Sequence, residues 1–241
     1  MNTVKQHSLS KTIALHLIPG ALSTVLYIIL APAFLKNGYP ALLAILVAAT
    51  LTIVPVELGI LFYQAKKESG RFSLKEIVLY REPLPKWQYF MIPLGLFIWI
   101  FLTTGITPLL DGVIAETLFS WLPEWYDLAQ LKGYSASVLT LTFSFRLIFN
   151  GFVAPIVEEL YFRGYLLPRL ERFGKWAPLL NASLFSLYHF WDPVATISRI
   201  IALLPMVAIV RKKQNIYLGI ITHCAINIVG TLLTWGLIFS Q

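Results

Sequence analysis

The sequence predicts an all-α fold: a polytopic transmembrane helical bundle of about seven to eight spans, with its polar site inside the bundle. Three observations lead there. Of the 241 residues, 57% are hydrophobic and only 13% charged, where a soluble domain carries about one-quarter charged residues. The apolar residues fall in runs long enough to cross a bilayer. The charges sit in short loops between those runs, apart from a few inside them.

The runs cover about 12–35, 41–64, 88–110, 136–157, 176–191, 194–210 and 215–239. The first, with Lys5 and Lys11 before it and the "APA" of 31–33 at its end, has some features of a signal peptide. It is longer than the usual apolar region of one and reads as a retained first span. The fourth continues past Asn150, Gly151 and Pro155 without a clear stop. It is therefore one long kinked helix or two pieces, which leaves the count at seven or eight. No polar block is long enough to fold alone, so residues 1–241 form a single membrane-embedded domain.

Loop charge gives the orientation. The N-terminal segment carries Lys5 and Lys11, and the loop "KKESGRFSLKEIVLYREPLPK" holds six basic and three acidic residues. "RLERFGK" at 169–175 and "RKK" at 211–213 are basic too. The positive-inside rule places all four on the cytoplasmic side, with the N-terminus cytoplasmic and the C-terminus outside. The net charge of +7 thus reflects loop placement, and no nucleic-acid partner is implied. The loop after the third run carries Asp111, Glu116, Glu124 and Asp127 with Trp121, Trp125 and Tyr126, an amphipathic stretch for the outer interface. Cys224 is the one cysteine, so no intrachain disulfide or cysteine metal cluster exists. It reads as a packing residue.

Ionisable groups inside spans default to function. Here they are His16, Glu57, Arg146, Glu158, Glu159, Arg163, His189, His223 and the amide Asn227. In "EELYFR", Glu159 and Arg163 stand at i and i+4 and can pair. Glu158 is turned about 100° away and is left free to move protons. In "FSLYH", Phe185 and His189 share a helical face, and in "HCAIN" His223 and Asn227 do so. With boundaries near Arg172, Lys175 and Lys213, a rise of 1.5 Å per residue puts Glu158, His189 and Asn227 about 21 Å deep, and His223 about 15 Å. Three spans deliver polar groups to nearly one level. Among the remaining groups, Glu57 and Arg146 are expected to pair across spans two and four. His16 is expected to be structural, Arg199 to lie at the outer interface, and Asp192 before Pro193 to end the helix of His189.

A carboxylate and an imidazole sharing a water form a general base. A second imidazole and an amide can donate to an oxyanion. Those parts suffice for amide hydrolysis by direct water attack, and no "GxSxG" nucleophile elbow occurs. Zinc on Glu158, His189 and His223 is the competing reading, since His₂Glu suits that metal. "HExxH" is absent, and an amide serves an oxyanion better than a zinc ion. No cofactor is therefore favoured, with zinc as the alternative.

Taken in order, Glu-Glu-x-x-x-Arg at 158–163, Phe-x-x-x-His at 185–189 and His-x-x-x-Asn at 223–227 resemble the CAAX protease and bacteriocin-processing (Abi) family, which includes the CAAX prenyl endopeptidases. The resemblance covers roughly residues 136–239. It implies an intramembrane endopeptidase with its active site within the helical bundle. Glu158 and His189 would activate water, His223 and Asn227 would stabilise the oxyanion, and Glu159 and Arg163 would support them. It also implies a peptide or protein substrate: a prenylated CaaX tail, or a bacteriocin-, pheromone- or leader-type peptide. The expected location is a bacterial cytoplasmic membrane, with the site opening toward the cytoplasm.

Two other classes compete. A non-catalytic immunity or scaffold protein that binds a bacteriocin-like peptide or a sensor would not need all four polar groups. A small transporter also buries Glu and His, but it would be expected to show repeated halves, and none is visible.

Overall fold

The computed structural model describes residues 4–240. Its α-helices are α1 (Leu9–Lys36), α2 (Ala41–Ser69), α3 (Gln88–Ile106), α4 (Pro108–Leu118), α5 (Ala136–Ile148), α6 (Ala154–Glu158), α7 (Ala177–Leu187), α8 (Thr196–Lys213) and α9 (Ile216–Phe239). No strand occurs among the described residues, apart from an isolated Arg81–Asn215 bridge.

Five helical stretches are long and apolar enough to cross a membrane: Leu9–Lys36, Ala41–Ser69, Gln88–Ile106, Ala136–Leu187 and Ile216–Phe239. The fourth contains two of the seven runs read from the sequence. It is not one rod, because Gly174 interrupts it at φ 54°, ψ −130°, a conformation that glycine tolerates and other residues resist. The expected sixth span corresponds to α8, which ends in Arg211, Lys212 and Lys213 and is not among the five.

The run from α5 to Gly174 is irregular in a way that matters for the site. A π-helical segment, Phe149–Val153, joins α5 to α6, and a second, Glu159–Leu166, follows α6. Such turns widen the backbone and leave carbonyls over. Pro155 has no N–H to give, and the N–H of Ala154 goes to Phe149. The carbonyl of Asn150 is thereby left for another donor.

The basic loops do gather on one face. His7 N–H bonds the carbonyl of Arg169, Leu79 N–H that of Gly164, and Ile216 N–H that of Tyr80. Arg169 pairs with Glu68 at 3.3 Å, and Glu171 accepts from the Tyr80 hydroxyl while pairing with Arg211. On the opposite face Tyr27 donates to the carbonyl of Trp125 and Tyr126 to that of Phe190, holding the 119–134 loop over the bundle. Between the faces lies an aromatic core in which Phe162 packs edge-on against Phe185 (4.8 Å) and Tyr188 (5.1 Å).

His16 is fully buried with both ring nitrogens occupied, by the Thr12 carbonyl at 2.8 Å and Asn181 Nδ2 at 3.1 Å. That is a packing histidine tying α1 to α7, as its place in an apolar run implied.

Candidate active site

Glu158 is the last residue of α6 and Glu159 the first of the π-helical segment. Glu159 and Arg163 are both wholly buried and lie 3.1 Å apart, so the pair read from their spacing is present. A lone buried charge would be very costly, and pairing offsets much of that cost. The guanidinium also stacks 4.1 Å over the ring of Phe185, a favourable cation–π geometry.

The spacing did not reveal a second partner. Glu159 Oε1 is also 3.1 Å from Nδ1 of His223. This close approach depends on Gly219, one turn before His223 on α9. A Cβ at Gly219 would fall 2.4 Å from Glu159 Oε2, so no larger residue fits there without displacing the carboxylate.

Glu158, expected to stand free, has partners of its own. The buried Tyr188 hydroxyl donates to its Oε1 at 2.9 Å. His223 Nε2 stands 3.8 Å from its Oε2, close enough for electrostatic contact but longer than a hydrogen bond. His223 thus lies between both carboxylates. Tyr188 is a site residue the sequence reading passed over, although it directly precedes His189. It owes its position to Gly20 on α1, where a Cβ would fall 1.9 Å from the Tyr188 carbonyl oxygen.

His189 lies just past the end of α7, which stops at Leu187 rather than running to Asp192. The reason is local. His189 Nδ1 takes the Phe185 carbonyl at 2.8 Å, and its backbone N–H turns to Ser186. The side chain captures the acceptor that would have continued the helix. With Nδ1 so occupied, Nε2 is the nitrogen available to a ligand. Asp192, instead of capping, pairs with Arg199, which also donates to the Ser186 carbonyl. Arg199 therefore helps build the site wall.

Asn227 Nδ2 donates to the Asn150 carbonyl at 2.8 Å, the acceptor that Pro155 left unpaired. One amide proton is thereby committed and the other remains.

Glu158, His189, His223 and Asn227 all line one cavity of about 480 Å³. From its floor at Glu158 and His223 the cavity runs past Asn150 to Thr107, Asp111, Leu128 and Asp192. These last four belong to helix ends and loops on the face opposite the basic loops. No residue of the basic loops lines this cavity, and the aromatic packing around Phe162 and the Leu79–Gly164 backbone bond lie toward that side. A larger cavity of about 1110 Å³ lies under the 119–134 loop and shares Arg146 and Asp192 with the first.

The expected Glu57–Arg146 pair does not form. Glu57 is wholly buried on α2, and neither of its oxygens has a hydrogen-bond partner. It sits within electrostatic reach of Glu158 and Tyr188. Arg146 is twelve residues before Glu158, about 18 Å along the helical run, and so at a different depth. Among the described residues, no three His, Cys, Asp or Glu side chains converge closely enough to hold a metal ion. In His189 and His223 it is Nδ1 that is engaged, by the Phe185 carbonyl and by Glu159, which leaves Nε2 of each ring for a partner in the cavity.

No curated protein and no solved structure matches the chain. A family model does: that of the Rce1-like, type II CAAX prenyl endopeptidases, over residues 140–229. All three motifs, and every polar group lining the floor of the cavity, fall inside that stretch, so it is the site-bearing part of the chain that is similar to the Rce1-like CAAX prenyl endopeptidases.

Proposed function

We propose that the chain is an intramembrane endopeptidase in which Glu158 and His189 activate water and His223 and Asn227 receive the oxyanion. The observation that carries this reading is the seating of His223, with Nδ1 on Glu159 and Nε2 facing the cavity near Glu158. A base, a water-sized space and two donors then share one chamber.

The steps follow from these groups. A water held by Glu158 and the free Nε2 of His189 attacks the peptide carbonyl carbon, and its proton passes to Glu158. The carbonyl π electrons move to oxygen. The resulting oxyanion accepts hydrogen bonds from protonated Nε2 of His223 and from the second amide proton of Asn227. The Glu159 carboxylate, behind the ring, holds Nδ1 at 3.1 Å and so keeps Nε2 turned to the chamber. As the tetrahedral centre collapses, Glu158 returns the proton to the departing amine. Tyr188 and Arg163 touch no reacting atom; they position Glu158 and balance Glu159.

The reading is metal-free. A chelator such as 1,10-phenanthroline is then expected to leave cleavage intact, and loss of cleavage restored by zinc would favour the metal reading. With the basic loops cytoplasmic, the cavity opens on the outer side of the membrane. That favours an exported, bacteriocin- or pheromone-like peptide over a cytoplasmic lipidated tail.

The deciding experiment is mass spectrometry of candidate peptides incubated with the purified wild type and with Glu158→Ala. Cleavage by the wild type alone is expected. Equal cleavage by a folded Glu158→Ala protein would sink the mechanism.

A further inference from the structure

Arg146 has no assigned role, and its surroundings call for one. It stands on α5, half-buried, and lines both cavities where they meet. Among the described residues it makes no ion pair, and its guanidinium donates no hydrogen bond. The other arginine of the chamber, Arg199, is neutralised by Asp192. The nearby loop carboxylates Glu124 and Asp127 are exposed, and solvent screens them. A half-buried guanidinium with no protein partner keeps its five N–H donors for an anion arriving through the chamber.

Resting on the endopeptidase reading above, we propose that Arg146 receives the free C-terminal carboxylate of the peptide substrate. A guanidinium matches a carboxylate two-pronged, with two parallel N–H···O bonds. The wall between Arg146 and Glu158 is lined by Leu46, Ala49, Ile53 and Phe149, which suits apolar residues ahead of that carboxylate. Arg146 and Glu158 are about 18 Å apart at the α-helical rise, slightly less through the π turn. An extended peptide covers about 3.3 Å per residue, so the piece released is about five residues long. Arg146 is thus a ruler for the cut as well as a selector for a free carboxyl end.

The test uses the full chain in nanodiscs of zwitterionic lipid and one dye-labelled apolar octapeptide, made as the free acid and as the C-terminal amide. Binding is measured on Glu158→Gln, with and without Arg146→Gln or Arg146→Lys. The acid is expected to bind about tenfold or more tighter than the amide. Arg146→Gln should erase that preference and Arg146→Lys should restore part of it. Equal binding of acid and amide, no binding of either, or a preference that survives Arg146→Gln overturns the proposal. So does displacement of the acid by phosphatidylglycerol with no acid–amide difference, which would assign Arg146 to a lipid phosphate. In the cleavage arm, wild type should release fragments of about five residues from the acid. Cleavage of neither peptide with an intact binding preference would count against the endopeptidase reading alone.

Discussion

His223 Nδ1 lies 3.1 Å from Oε1 of Glu159, the same oxygen that stands 3.1 Å from Arg163. The second carboxylate of the "EELYFR" motif is therefore a hinge point between two helical elements. It holds its own segment through Arg163 and α9 through His223, and it fixes which ring nitrogen of His223 faces the chamber.

That double role predicts a separable phenotype. Glu159→Gln leaves Arg163 buried without a counter-charge, which costs about 3–5 kcal/mol, and it also frees the His223 ring. Replacing both partners, as Glu159→Gln with Arg163→Met, should recover most of the melting temperature. It should leave peptide cleavage at least about a hundredfold below wild type, the loss typical of an oxyanion donor. Recovery of both would show the pair to be purely structural.

Gly219→Ala reports on the same contact from the other side. The added Cβ falls 2.4 Å from Glu159 Oε2, and the carboxylate must shift to admit it. Cleavage should fall mainly in kcat, with little change in KM, because the displaced group orients an imidazole and does not touch substrate. An unchanged kcat would mean that the carboxylate yields without moving His223.

Tyr188→Phe removes the 2.9 Å hydrogen bond to Glu158 while leaving the ring in place. A hydrogen bond to a charged group is worth about 1.5–3 kcal/mol, so the melting temperature should fall measurably and the cleavage rate should drop about tenfold or more. Gly20→Ala acts on the same tyrosine through its backbone. With a Cβ 1.9 Å from the Tyr188 carbonyl oxygen, α1 cannot keep its place against α7, and the melting temperature should fall clearly. A stable, active Gly20→Ala protein would contradict the packing of these two helices.

On the basic-loop face, His7 supplies a pH prediction. Burial, then the charges of Lys11 and Arg169, push its imidazole down to about 4. The folded chain therefore favours the neutral ring. This contribution is complete above the ordinary value near 6.5, and it is lost as the pH falls toward 4, since the unfolded chain binds the proton first. Wild type should lose more melting temperature between pH 7 and pH 5 than His7→Gln. Parallel curves for the two proteins would refute it.

Much of this protein is legible in its sequence because a bilayer penalises charge so heavily. The spacing of Glu159 and Arg163 announced their pairing, and the packing role of His16 followed from its apolar surroundings. The gathering of the basic loops on one face followed from their charge. Tyr188 was not legible, because a tyrosine beside a histidine looks like any other aromatic in an aromatic core. Gly20 and Gly219 were not legible either, since only the partner atom a Cβ would strike reveals why they are glycine.

By itself, then, the sequence determined which ionisable groups fall inside apolar runs, that Glu159 and Arg163 share a face, and the motif order that resembles the CAAX endopeptidases. The tertiary structure decided how they are partnered. It put His223 between Glu158 and Glu159, left Arg146 without Glu57, and opened the chamber on the face away from the basic loops. The physical reason is that depth and helical face follow from covalent spacing along one helix. Partnership depends on where separate helices stop and turn, and here π turns just before Pro155 and beyond Glu158, a break at Gly174 and contacts at Gly20 and Gly219 set those positions.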